Sequence, residues 1–91
     1  MGHMKLYLAH LGFYDDRYGM YEIHINKHVV AKDAKEAKQK LVQDEEFKRL
    51  KMHIDGLQEI NNIDGYKISI ADGGSEADDN PLYTHSEIKI L

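Results

Sequence analysis

The sequence predicts an α+β fold: a small antiparallel or mixed sheet of four to five strands with one helix packed on one face. Three observations carry this. Several segments alternate apolar and polar residues with the period of two that puts neighbouring side chains on opposite faces of a strand. A single stretch, opened by Asp33, has the composition and cap of a helix. The chain is 91 residues long, which allows one core and no second. The expected order is ββαββ, with a C-terminal segment suited to a fifth strand.

The first strand is read in Met4–Leu11, where Leu6 and Leu8 alternate with Lys5, Tyr7 and Ala9. Gly12-Phe13-Tyr14-Asp15-Asp16-Arg17-Tyr18-Gly19 follows, an aromatic and acidic tip bracketed by glycines, read as a hairpin loop. Met20–Ala31 is the clearest strand: Tyr21, Ile23 and Ile25 share one face, and Glu22, His24 and Asn26 the other. The pattern changes at His28-Val29-Val30-Ala31, where a bulge or a change of environment fits.

Asp33 is placed as an N-cap with Glu36 three residues on, opening a helix from about Ala34 to Asp44. Its buried stripe is narrow: Ala34, Ala37, Leu41 and the Lys38 stem. Glu45–Lys51 is a charged connection anchored by Phe47 and Leu50. Met52–Ile60 is a strand in which Met52 and Ile54 oppose His53 and Asp55, with Gly56 breaking the alternation as a bulge does. Asp64-Gly65 is the stronger hairpin signal, and Tyr66, Ile68 and Ile70 alternate as the next strand. Residues 71–81 are acidic and glycine-rich and read as a mobile loop. Ile88 and Ile90 alternate in the final segment.

Taken in blocks, MKLYLAHLGFYD, YEIHINKHVVAKDAKEAK, KMHIDGLQEI and DGYKI resemble a bacterial family catalogued as domain of unknown function 1543. The resemblance spans Met4 to Ile70. It implies a bacterial protein and a self-contained small domain, and it implies no activity, substrate or catalytic residue. One domain over 4–70 is expected. Residues 71–91 would form an acidic loop and a final strand, and Met1-Gly2-His3 reads as a cloning remnant.

Sixteen acidic residues outweigh 12 basic ones for a formal charge of -4. That opposes nucleic-acid binding, which needs a concentrated basic face. No apolar run is long enough to span a bilayer, so no membrane partner is expected. Cysteine is absent, which excludes thiol catalysis and thiolate zinc sites and favours a reducing, cytoplasmic compartment.

Strand parity suggests the candidate site. If the helix covers the face of Ile23 and Ile25, the opposite face gathers Glu22, His24, Asn26, His53 and Asp55, with His10 at the polar end of the first strand. Imidazole and carboxylate donors suit zinc, iron or manganese, and equally general acid–base work. No HExxH or comparable spacing is present, so no metal ligand set and no cofactor is assigned from sequence. A solvated antiparallel face is the plainer reading. His24 and His28 lie too far apart on a strand to share an ion. Tyr14 and Tyr18 are candidate recognition residues on the aromatic loop, while Phe13 is expected to plug the core. Asp72, Asp78 and Asp79 lack the spacing of a calcium loop. Lys32, Lys35, Lys38 and Lys40 form a basic row that Asp33 and Glu36 partly neutralise.

One helix covers one sheet face, leaving the other polar or covered by something else. The sequence therefore favours a protein-binding or self-assembly module, a homodimer or a partner-docking domain. The alternative is a small metal-binding protein or enzyme using the His/Glu/Asp cluster.

Overall fold

The structure is a computed structural model that describes residues 3–75 and 80–91, with the side chain of Tyr18 excepted. Its architecture is mixed α and β. Strand β1 (Lys5–Tyr14) is the centre of a three-stranded antiparallel sheet, flanked by β2 (Glu22–Ala31) and β3 (His53–Ile60). Helix α1 (Ala34–Gln43) and the short α2 (Glu45–Arg49) connect β2 to β3.

β1 runs past Gly12, contrary to the loop read there. Phe13 continues the alternation of Tyr7, Ala9 and Leu11, and all four are buried on one face. Ending the strand at Leu11 would have left Phe13 outside this row. The reversal comes later, through a short 3-10 turn at Asp16–Tyr18 that Asp15 caps by accepting from the Arg17 backbone N–H. The β1–β2 register pairs Phe13 with Ile23, Leu11 with Ile25 and Tyr7 with Val29, so the apolar sides of both strands meet. On β3, Ile54 faces Leu11 and Leu57 faces Ala9. Two apolar residues three apart share a face because the register shifts between His10 and Leu11. This is the irregularity read at Gly56.

Helix α1 begins as expected, with Asp33 Oδ1 accepting from the Glu36 backbone N–H at 2.8 Å. Ala37 and Leu41 are buried, whereas Ala34 stands exposed. The segment Glu45–Arg49 is helical rather than a bare connection, because Asp44 caps it: its Oδ1 accepts from the Glu46 backbone N–H at 2.8 Å. Phe47 and Leu50 pack against Ala9, Leu11, Phe13, Leu41 and Met52, anchoring the layer as expected. Burying a side chain such as Leu11 or Leu41 contributes about 2 kcal/mol. No polar side chain is buried among the described residues.

The C-terminal part departs from the sequence reading. Strands β4 (Asn62–Ile63) and β5 (Tyr66–Lys67) form a separate two-residue hairpin and do not extend the main sheet to four or five strands. Asp64 and Gly65, both at positive φ, turn it. Ile68 and Ile70 lie beyond it, outside any strand. The segment read as a final strand contains a helix, α3 (His85–Lys89). Thr84 and Glu87 form a capping box there, a local interaction that overrides the Ile88/Ile90 alternation. The acidic loop positions Asp78 and Asp79 lie outside the described residues.

Candidate functional site

The face of the sheet turned away from α1 carries the site. β1 presents His10, Gly12 and Tyr14 on this side, and β2 presents Asn26, His24 and Glu22 opposite them in register. On the other flank His53 is the cross-strand partner of Gly12. Asp55 falls where the register shifts, since Ile54 pairs with Leu11 while Gly56 pairs with His10. The bulge makes Asp55 the unpaired residue and sets its carboxylate over β1.

Gly12 is the floor. His24 and His53 flank it on the two neighbouring strands, their backbones about 9.6 Å apart by ordinary strand spacing. The His53 side chain and the two carboxylates lean into the space that a side chain at position 12 would fill. A Cβ placed there would sit 2.5 Å from Asp55 Oδ2 and 2.6 Å from His53 Nε2, and closer still to Glu22 Oε1. Only glycine leaves this space open, the reason for a glycine inside a strand that the sequence reading assigned to a turn.

The polar atoms interlock. His53 Nε2 lies 2.5 Å from Glu22 Oε1 and 3.2 Å from Asp55 Oδ1. His24 Nδ1 lies 3.4 Å from Asp55 Oδ2, and His24 Nε2 is 3.6 Å from Glu22 Oε2. His24 Nδ1 is also 2.9 Å from His10 Nε2, the two rings nearly parallel at 20° with centroids 4.8 Å apart. Asn26 Oδ1 is 2.8 Å from His10 Nδ1. With the amide oxygen facing it, His10 Nδ1 is the donor, so Nε2 is left as an acceptor toward His24. His24 Nδ1 then donates to it. Asn26 thereby holds His10 in the tautomer whose bare nitrogen points into the cluster, the role that carbonyls beside metal-bound histidines play.

The groups are half-exposed, with side-chain exposures between 28% for Glu22 and 46% for His53. Water and ions therefore reach them from above, while the strands below restrain them. Two overlapping donor sets have the spacing of a metal site: His10, His24 and Asp55, and Glu22, His53 and Asp55.

Of the residues singled out from sequence, Glu22, His24, His53 and Asp55 converge, and Asn26 orients a neighbour rather than joining the cluster. His10, expected only at the polar end, is a full member. Tyr14 is exposed on the same face beside its cross-strand partner Glu22. The backbone of Tyr18 lies in the 3-10 turn, away from the strands that build the site. Phe13 is core, as expected. His28 faces Leu8, four positions along β2 from His24, and joins neither donor set. Two lysines of the basic row are engaged: Lys40 donates to the Val30 carbonyl at 2.6 Å, and Lys32 lies 4.0 Å from Glu36.

A family model described as Domain of Unknown Function (DUF1543) matches residues 19–70, more than half of the chain. That stretch holds Glu22, His24, Asn26, His53 and Asp55, while His10 and Gly12 precede it. No curated protein and no solved structure matches the chain.

Proposed function

Since the chain belongs to the DUF1543 family, whose description names no function, we propose from the site alone that it binds a divalent transition metal ion on the open face of its sheet. The observation that carries this reading is the convergence of His10, His24, His53, Glu22 and Asp55 over Gly12. A merely solvated face separates its polar groups, since water satisfies each one and bringing two carboxylates together is repulsive. Here both carboxylates and three imidazoles form two overlapping donor sets, and a glycine keeps the space beneath them clear. The mixed nitrogen and oxygen set favours zinc, manganese or iron over calcium, which prefers oxygen alone.

The test is a proton–nitrogen NMR titration with Zn²⁺ and then Mn²⁺, paired with thermal unfolding. A ligand at a hundred times its Kd stabilises a fold by about 2.7 kcal/mol. For a domain of this size that raises Tm by about 10 °C or more. Resonances of His24, His53 and Asp55 should move, and Asp55→Ala, which removes the carboxylate common to both donor sets, should abolish the Tm rise. An unchanged spectrum and Tm would overturn the reading.

A second reading, a self-assembly module, is favoured by a different observation. At the far end of the same face, Leu6 pairs with Val30 on one side and Ile60 on the other, an apolar cluster only half covered. Light scattering across concentration checks it: a mass that doubles on concentration supports a homodimer through this end.

A further inference from the structure

We infer that the site is built for two divalent ions, held side by side and bridged by Asp55. This rests on the metal-binding reading and concerns how many ions the site takes.

The carboxylate geometry carries it. Asp55 turns Oδ2 toward His24 at 3.4 Å and Oδ1 toward His53 at 3.2 Å. Glu22 places Oε1 2.5 Å from His53 Nε2, whereas its Oε2 faces the other nitrogen of His24, Nε2, at 3.6 Å. Asp55 therefore offers one oxygen to each donor set and is the residue the two sets share. Two ions use both of its oxygens, the bridging arrangement of sites whose metals lie about 3.5–4 Å apart.

The spacing within each half fits an ion as well. Donors about 2.1 Å from a metal lie about 3.0 Å apart at right angles and about 3.4 Å apart at the tetrahedral angle. His10 Nε2 to His24 Nδ1 is 2.9 Å, and His24 Nδ1 to Asp55 Oδ2 is 3.4 Å, which matches one half. His53 Nε2 to Asp55 Oδ1 at 3.2 Å matches the other. An ion in the first half would take His24 Nδ1 in place of its proton, which moves to Nε2 on the side of Glu22 Oε2, 3.6 Å away.

The charge balance then names the ligand class. Two carboxylates and three neutral imidazoles leave a pair of divalent ions with surplus positive charge. Three or so protein donors per ion also leave coordination positions open toward solvent. A small oxyanion, with phosphate as the probe, satisfies both by spanning the two metals.

Native mass spectrometry of the full chain titrated with Mn²⁺ or Zn²⁺ alone counts the ions, and spin resonance of the Mn²⁺ form reports whether they are coupled. Two ions per chain with an exchange-coupled signal are expected. His10→Ala and His53→Ala should each reduce the count to one, and phosphate should bind only the doubly loaded form. A variant lacking His3, His28 and His85 should keep both ions, and loss of the second ion there would overturn the inference. One ion in the native chain, lost altogether in either single variant, would overturn the pair and leave the metal-binding reading standing. No bound ion would overturn both.

Discussion

The two faces of the central sheet are made by the same strands and do opposite things. Toward the helices β1 presents Tyr7, Ala9, Leu11 and Phe13, all buried. Toward solvent the intervening positions present His10, Gly12 and Tyr14. One face holds the fold together through removal of apolar surface from water. The other places donors that contribute little to stability and gain meaning only with a ligand. Strand alternation thus lets a three-stranded sheet hold a site without spending its core on it, provided stability and binding can be changed separately.

The largest expected effect tests that separation. Leu11→Ala removes a buried side chain packed among Ala9, Phe13, Leu41 and Met52. It should lower unfolding free energy by about 3 kcal/mol in a urea titration. Because Leu11 points away from the site, the variant while folded should bind the same number of metal ions. A loss of metal binding below the unfolding midpoint would show that the faces are coupled.

Gly12→Ala probes the same strand one residue on, with the opposite outcome. The atoms nearest the new Cβ are the far ends of Glu22, Asp55 and His53, flexible tips that can swing toward solvent. The fold should therefore change by less than about 1 kcal/mol. The donors would be pushed apart, however, and metal affinity should fall at least about 100-fold by calorimetry, as expected when bound geometry is lost. Large destabilisation instead would mean that the site residues are structural.

How far the sequence foretold this contrast depends on which residues signal locally. Parity put Glu22, His24 and Asn26 on one side of their strand and His53 and Asp55 on one side of theirs, but joining the two groups needed the sheet order. The cap at Asp33 and the irregularity at Gly56 were legible because both are local signals. Gly12 was not: beside an aromatic and acidic stretch it has the composition of a turn, and only the pairing of β1 with both neighbours shows it inside a strand. His10 depended on the same pairing. The Ile68/Ile70 and Ile88/Ile90 alternations misled because alternation specifies a strand only where a partner is available. Neither segment meets the central sheet, and Thr84 with Glu87 supplies a helical start instead.

Asn26→Ala sharpens the comparison within the open face. Asn26 touches His10 and no member of the carboxylate pair in the cluster. Its loss should leave stability within about 0.5 kcal/mol and weaken metal binding about 10- to 100-fold, the usual effect of removing a residue that orients a ligand. The weakening should be confined to the ion on the His10 side, which a two-site calorimetric isotherm resolves.

Acid offers the mildest probe, and its sign follows from where the perturbed carboxyls sit. Arg17 beside Asp15 holds that carboxyl down to about 2, by side-chain and then backbone hydrogen bonds. The Lys27 ammonium, 2.5 Å away, lowers Asp44, and Asn61 and then Tyr7 lower Glu59. Lys27 pairs with Ala9 and Glu59 with Tyr7, so these last two carboxyls serve the covered side of the sheet. Unfolded, such groups take up protons near pH 4; folded, they do so lower. The unfolded state therefore binds more protons in that interval, and stability falls as pH drops from about 4 toward 2. Asp44→Asn and Glu59→Gln should flatten this acid limb in urea titrations taken at successive pH values without added metal. Glu22→Gln and Asp55→Asn should remove metal binding while changing metal-free stability at neutral pH by less than about 1 kcal/mol. If the open-face substitutions lost more stability than that, the clustered carboxylates would be holding the fold together without any ion, and the division of labour between the faces would fail.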